Sequence, residues 1–330
     1  MAERMTPLLD RRTLLAGLAA AVALPARAAP PAYPPADRTL MVPVEGGRVF
    51  VRVNGNLASS RPPIVFLHGG PGSTHGHYLQ ALPLAGQRAV ILYDQLGSGR
   101  SDRPAGSDWW RVARFVDELE AVRRALGVRR WHVCGHSWGG TIALEYGARR
   151  PAELASLILA SPLVSTRSWL ADAAALRQEL PTAVQADLTA CEAATPPPQA
   201  TCDAATDAFY KAFNGRVPLD AAHQAAVQAE IGAGFNRELY ERMWGNSEFV
   251  ATGTLKDYDG EPLLAKLDGA RTLFVGGQYD EARPQTLLGF AKRVPGAEYA
   301  VIPGAAHGLF TDRPAETLAT LRGWLGRHDT

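Results

Sequence analysis

Apolar positions along the chain follow two patterns in succession. Residues 40–44 and 48–53 alternate between apolar and polar, with Glu45-Gly46-Gly47 between them, which predicts an opening antiparallel hairpin. Beyond this point the alternation gives way to short continuous apolar runs at 64–67, 89–93, 131–134, 157–160, 272–275 and 299–302. Such runs fit parallel strands buried on both faces. Between 110 and 126, Val112, Phe115, Val116, Leu119, Val122 and Leu126 recur at helical spacing and Gly127 follows, so this segment predicts an amphipathic helix with a glycine stop. Strands alternating with helices predict an α/β fold with a mostly parallel, doubly wound sheet.

One interval breaks the alternation. From 162 to 260 no comparable strand run occurs, only Ala-rich helical segments such as 168–180 and 219–231 with prolines between them. This predicts a helical cap over 162–260, inserted into a core made of 37–161 and 261–330. Residues 29–36, rich in Ala and Pro, read as a flexible leader.

The first 28 residues belong to a different class of segment. Arg11-Arg12 precede an apolar run over 14–24, and Ala26-Arg27-Ala28 offers an A-x-A cleavage site. The run is about half the roughly 20 residues a membrane span requires, so the segment predicts a cleaved signal peptide, of twin-arginine type, and no stable membrane insertion afterwards. The protein is therefore expected outside the cytoplasm, in a periplasm or secreted. There an oxidising environment lets Cys191 and Cys202 pair across the proline-containing loop at 193–200, whereas Cys134 sits in an apolar run and reads as buried.

Composition narrows the chemistry. The 330 residues are 46% apolar and 20% charged with a formal net charge of +1. No Lys/Arg-rich run is present, so nucleic acid is excluded as a partner and a small or neutral substrate is expected.

Against this background, Gly135-His136-Ser137-Trp138-Gly139 stands between an apolar strand and a helical run, the context of a nucleophile elbow in the α/β-hydrolase fold. A serine hydroxyl needs a general base, and the base needs an orienting carboxylate, in the chain order serine, acid, histidine. Asp280 follows the strand at 272–275 and His307 follows the strand at 299–302, so Ser137, Asp280 and His307 form the expected triad, with Asp259 and Glu281 as competing acids. His68 and His136 read as structural neighbours. An oxyanion needs fixed backbone donors, which the N–H groups of Trp138 and of Gly70, in His68-Gly69-Gly70-Pro71-Gly72, would supply. The sequence contains no H-E-x-x-H, no clustered Cys/His ligands and no phosphate-cradling loop, so neither metal nor cofactor is expected.

Four stretches in order, His68-Gly69-Gly70-Pro71-Gly72, 94–101 (DQLGSGRS), 135–140 (GHSWGG) and 277–281 (GQYDE), resemble the proline iminopeptidases and related tricorn-interacting aminopeptidases, over about 42–325. The resemblance implies release of an N-terminal residue, often proline, from short peptides, arylamides or amino-acid amides. It also implies that Glu281 and Glu248 hold the substrate ammonium, a role that matches the need of a buried cation for carboxylates. Asn246-Ser247 stands where the family carries Pro-Asn, and the family's cytosolic members are not associated with a cap cysteine pair. Trp244 and Phe249 are candidates for an apolar pocket around the released residue. The alternative on the same scaffold is an esterase, lactonase or amidase, in which the two glutamates have no substrate role.

Overall fold

The computed structural model describes residues 32–329 apart from Ser107 and Ala194; the expected signal peptide at 1–28 lies outside the described residues. The alternating runs form β1 (Arg38–Val44) and β2 (Gly47–Asn54), paired antiparallel from Arg38 opposite Val53 to Val44 opposite Gly47. Gly46, at φ 93°, makes the left-handed turn between them. The continuous apolar runs become β3 (Ile64–Leu67), β4 (Val90–Tyr93), β5 (Trp131–His136), β6 (Leu154–Ala160), β7 (Thr272–Gly277) and β8 (Glu298–Ile302). Among the described residues the sheet has the order β1-β2-β4-β3-β5-β6-β7-β8; every pair from β4 onward is parallel, while β2 pairs antiparallel with β4.

The period of two within each strand divides the core. Val65 and Leu67 of β3 pack with Ile91, Val133 and Phe274 on one face, where α1 (Val112–Ala125) contributes Phe115, Val116, Leu119 and Val122 and α2 (Trp138–Ala148) contributes Ile142 and Leu144. Ile64 and Phe66 point to the other face, toward Leu92, Ile158 and a 3-10 segment over His75–Gly86. Residues buried on both faces leave the strands little polar character, hence the unbroken apolar runs in the sequence.

Between β6 and β7 the chain is helical: α3 (Thr166–Arg177), α4 (Thr182–Cys191), α5 (Gln199–Phe213), α6 (Ala221–Glu230) and α7 (Arg237–Met243). Ser165, Asp220 and Asn236 cap α3, α6 and α7 by accepting from the backbone N–H of Ser168, His223 and Leu239. Leu176, Leu180, Leu188, Phe209 and Phe213 form a small core of their own within this stretch. Cys191, at the end of α4, meets Cys202 of α5 with Cα atoms 5.7 Å apart and the sulfurs at 2.05 Å. Cys134 is buried, and burial pushes its thiol pKa up. The chain finishes with α8 (Pro284–Lys292), α9 (Leu309–Asp312) and α10 (Pro314–Arg327) around β8. No helix among the described residues is long and apolar enough to cross a membrane.

Candidate active site

The carboxyl ends of β5, β7 and β8 deliver the residues singled out by the sequence. At the end of β5 the backbone turns into α2 through Ser137, held at φ 55° and ψ −122°, a sparsely populated region for a non-glycine residue that costs about 1–3 kcal/mol. The flanking glycines make this turn possible. A Cβ on Gly135 would sit 2.1 Å from the carbonyl oxygen of Gly139, and a Cβ on Gly139 would sit 2.1 Å from that of Leu67 at the end of β3. The loop after β3 therefore runs directly over the elbow, where Gly69 is so close that a Cβ there would lie 3.0 Å from Cβ of Ser137. Gly70, at φ 101°, lines the same cavity as Ser137. Trp138 follows Ser137 as the first residue of α2, and its indole turns into the core, where Nε1 donates to Oε1 of Gln95 at 2.8 Å.

Asp280 is fully buried just beyond β7, and both its oxygens are occupied. Oδ1 lies 2.8 Å from Nδ1 of His307 and accepts from the N–H of Ala282 at 2.9 Å; Oδ2 accepts from the N–H of Gly277 at 2.9 Å and from the hydroxyl of Ser161. Burial opposes the charge on Asp280, but His307 and these donors outweigh it and hold the carboxyl below its usual range. Burial likewise disfavours the His307 imidazolium, yet Glu281, Asp280 and Glu248 together push its pKa up to about 9. The competing acid Asp259 instead accepts from the N–H of Glu261 in its own loop.

The neighbouring histidines are tied to backbone groups. Nε2 of His136 lies 2.8 Å from the backbone oxygen of His307, and burial drops its pKa to about 3. Nε2 of His68 accepts from the N–H of Gln95 at 3.0 Å, and burial drops its pKa to about 4.

Ser137 and His307 open into a cavity of about 460 Å³ that Glu248 and Glu281 also line. Glu281 accepts from Nδ2 of Asn214 at 2.7 Å through Oε1, while its Oε2 is buried without a partner. Burial, reinforced by the charges of Glu248 and Asp280, raises its pKa, while the charge of His307 favours the ionised form. Burial also raises the pKa of Glu248, although the hydroxyl of Tyr240 donates to its Oε1 at 2.5 Å. A partnerless buried carboxylate oxygen facing a cavity is a place where a cation fits.

The apolar wall differs from expectation. Trp244 is 3% exposed and packs into the core, its ring 6.2 Å from that of Trp169, and Phe249 packs edge-on against Phe209 at 4.6 Å. Neither is among the residues that line the cavity. That wall is built instead by Tyr210 of α5, Tyr240 of α7, and Val227, Ile231 and Phe235 in and after α6. The sequence reading missed Tyr210, Asn214, Tyr240 and His77; the Phe209 and Phe213 pair at helical spacing was the available signal for α5.

A serine strained at a strand-to-helix elbow, with an acid and a histidine delivered after later parallel strands, defines an α/β hydrolase. The family model described as alpha/beta hydrolase fold matches residues 62–314. Proline iminopeptidases of Heyndrickxia coagulans and Levilactobacillus brevis are each 36% identical to this chain, over 286 and 298 residues, covering 86% and 87% of it and 97% and 96% of the relatives. Among solved structures, proline iminopeptidase of Mycobacterium smegmatis superposes with a TM-score of 0.80 at 34% identity, covering 88% of this chain and 99% of that one. VinJ superposes with a TM-score of 0.81 at 34% identity, covering 89% and 100%. The chain is a hydrolase and belongs to the proline iminopeptidase family of α/β hydrolases.

Proposed function

We propose that the protein is an exported serine aminopeptidase that releases an N-terminal residue, proline or another apolar one, from short peptides, arylamides or amino-acid amides. The observation that carries this reading is the pair Glu248 and Glu281 on the wall of the cavity that holds Ser137 and His307, with Oε2 of Glu281 buried and unpartnered. An esterase has no need of two carboxylates there, and leaving them unneutralised costs stability. The relatives named proline iminopeptidase support the same reading.

In this mechanism the substrate ammonium sits between Glu248 and Glu281, which brings the adjacent carbonyl to Ser137. Ser137 Oγ attacks that carbonyl while His307 Nε2 takes the hydroxyl proton, and Asp280 keeps the imidazole oriented and stabilises its charged form. The N–H groups of Gly70 and Trp138 receive the negative charge that develops on the carbonyl oxygen. His307 then protonates the departing amine, leaving an ester on Ser137. Water, deprotonated by His307, hydrolyses that ester and frees the N-terminal residue. The helical stretch 162–260 acts as the cap that limits substrate length, and the expected signal at 1–28 together with the Cys191–Cys202 pair supports export.

The test is a panel of aminoacyl arylamides, the same compounds N-acetylated, and simple p-nitrophenyl esters. Free-amine arylamides should be cleaved far faster than acetylated ones, and Ser137→Ala should remove nearly all turnover while leaving a folded protein. Equal rates on free and acetylated arylamides would leave only the esterase, lactonase or amidase alternative.

A further inference from the structure

His307 is held along two edges. Its Nδ1 meets Asp280 at 2.8 Å, and its Nε2, the edge that must accept the proton of Ser137, stands 3.5 Å from Oε1 of Glu281. No hydrogen bond joins the Ser137 hydroxyl to His307 among the described residues. The two partners share a mount as well. The backbone N–H groups of Glu281 and His307 both donate to the carbonyl of Phe213, each at 3.1 Å, at the end of α5. The next carbonyl, of Asn214, accepts from Gly308 at 2.7 Å, and the Asn214 side chain donates to Glu281 at 2.7 Å. One helix terminus thus fixes the carboxylate and the imidazole relative to each other.

The surroundings make this ion pair responsive to charge. Facing His307 are Asp280 and Glu281 from the loop after β7, Glu248 from the segment after α7, His136 from β5 and His77 from the 3-10 segment. Facing Glu281 are Glu248, Asp280, His307, Tyr210 of α5 and Tyr240 of α7. With the cavity empty, the imidazolium is the one cation within 4 Å of Asp280 and Glu281 among the described residues, and Arg237 lines the same cavity further off. A second cation seated on the carboxylates competes with it, because like charges a few ångströms apart in a poorly solvated site repel.

We propose that Glu281 is a substrate-operated gate on the general base: in the empty site its carboxylate holds the Nε2 edge of His307, and a bound substrate ammonium draws that carboxylate away and leaves Nε2 to Ser137. The step balances in charge, since one positive charge enters with the substrate and the Nε2 proton leaves to solvent. The inference rests on the ammonium-binding reading above and deepens it. Selection for an N-terminal amine then acts on reactivity as well as on binding, because a ligand without an amine meets a base that is already protonated. The elevated pKa of His307, about 9, agrees with this resting state.

The experiment compares the full-length protein with Glu281→Gln, whose amide can still bond Asn214. The pH dependence of kcat/KM is measured with p-nitrophenyl butyrate, which has no amine, and with an aminoacyl arylamide. In the wild type the acid limb of the ester profile should fall near the resting value of His307, about 9. In Glu281→Gln it should move down by at least about one pH unit, raising ester turnover at neutral pH about tenfold or more, while arylamide turnover falls. A gain of ester activity upon deleting a carboxylate is not the signature of a structural residue. An ester limb that stays in place overturns the gate even when arylamide turnover falls, and in that case the ammonium-binding reading survives. Conversely, arylamides cleaved no faster than their acetylated forms by the wild type defeat the ammonium-binding reading and the gate with it. A second measurement needs no variant: the Nδ1 proton resonance of His307 is followed through a pH titration with and without pyrrolidine. Pyrrolidine should lower the titration midpoint, and an unchanged midpoint overturns the proposal.

Discussion

Ser161 donates its hydroxyl proton to Oδ2 of Asp280, opposite the oxygen that meets His307 Nδ1 at 2.8 Å. Ser161 itself sits at φ 46°, where a side chain is strained, so the hydroxyl is held in place against a backbone preference. A hydrogen bond to a charged group contributes roughly 1.5–3 kcal/mol, about 10- to 150-fold in rate if all of it were lost from the transition state. We expect Ser161→Ala to lower kcat on an arylamide by about tenfold. Ser161→Gly deletes the same hydroxyl but relieves the strain. Similar kcat losses in both variants would assign the effect to the hydrogen bond; recovery in the glycine variant would assign it to the backbone.

A second contact ties the sheet to the helical stretch. Arg52 of β2 is 2% exposed and places Nη1 2.7 Å from Oε1 of Glu230, the last residue of α6, while Nε2 of His75 lies 3.7 Å from the same oxygen. The close approach of His75 and, against the effect of burial, the charge of Arg52 hold the Glu230 carboxyl down to about 2. The folded pKa lies below the ordinary 4.5, so the stabilisation is complete above about 4.5 and is lost as pH falls through about 2. Glu230→Gln should therefore lower the thermal midpoint by a few degrees at neutral pH, and the gap to wild type should close as the pH drops below that range. A gap independent of pH would show that the carboxylate's charge contributes nothing. Because Val227 and Ile231 beside Glu230 line the cavity, the variant should also raise KM more than it lowers kcat.

How far the sequence reveals this arrangement depends on what each residue contacts. Strands buried on both faces have to be continuously apolar, and the elbow demands glycines at fixed offsets from Ser137, so the sheet and the position of the serine are legible. Asp280 and His307 follow from chain order after two such strands. The cavity wall is not legible in the same way. Tyr210 and Tyr240 lie on α5 and α7, and neither emerged from the apolar pattern because prolines and alanines dominate the stretch between 162 and 260. Trp244 and Phe249 lie close to Glu248 along the chain. In an irregular segment consecutive side chains diverge, and here one enters the main core while the other joins the small core between α4 and α5.

The cysteine pair carries its own expectation. The bond between Cys191 and Cys202 would link α4 to α5, and α5 ends at the Phe213 carbonyl on which Glu281 and His307 both hang. Protein recovered from its native compartment should begin near Ala29 and gain two alkylation sites on reduction, read by intact mass before and after treatment. Two thiols that alkylate without reductant would count against the bond, and a retained N-terminal segment would count against export.

The remaining expectation concerns Glu248, which shares the cavity with Glu281 but approaches from the segment after α7. Its carboxylate accepts from Tyr240 at 2.5 Å, which fixes its direction, whereas Glu281 is fixed by Asn214. The two acids are thus oriented by different elements, and the gap between them is set by how the helical stretch sits over the sheet. If a substrate ammonium bridges that gap, removing one carboxylate leaves the cation half-neutralised. Truncating one partner of a buried charged pair costs roughly 2–5 kcal/mol, which is about 30- to 5000-fold in kcat/KM. Glu248 is only partly buried, so the lower end of that range applies. We expect Glu248→Gln to lower kcat/KM on free-amine arylamides by about 30-fold or more, and Tyr240→Phe to produce a smaller loss of the same kind by letting the carboxylate swing. Both losses should appear mainly in KM, because they weaken binding in the ground state and the transition state alike. The ratio of free-amine to N-acetylated turnover is the decisive quantity. It should fall in both variants, and a ratio unchanged from wild type would mean that Glu248 supports the fold of the wall without touching the amine.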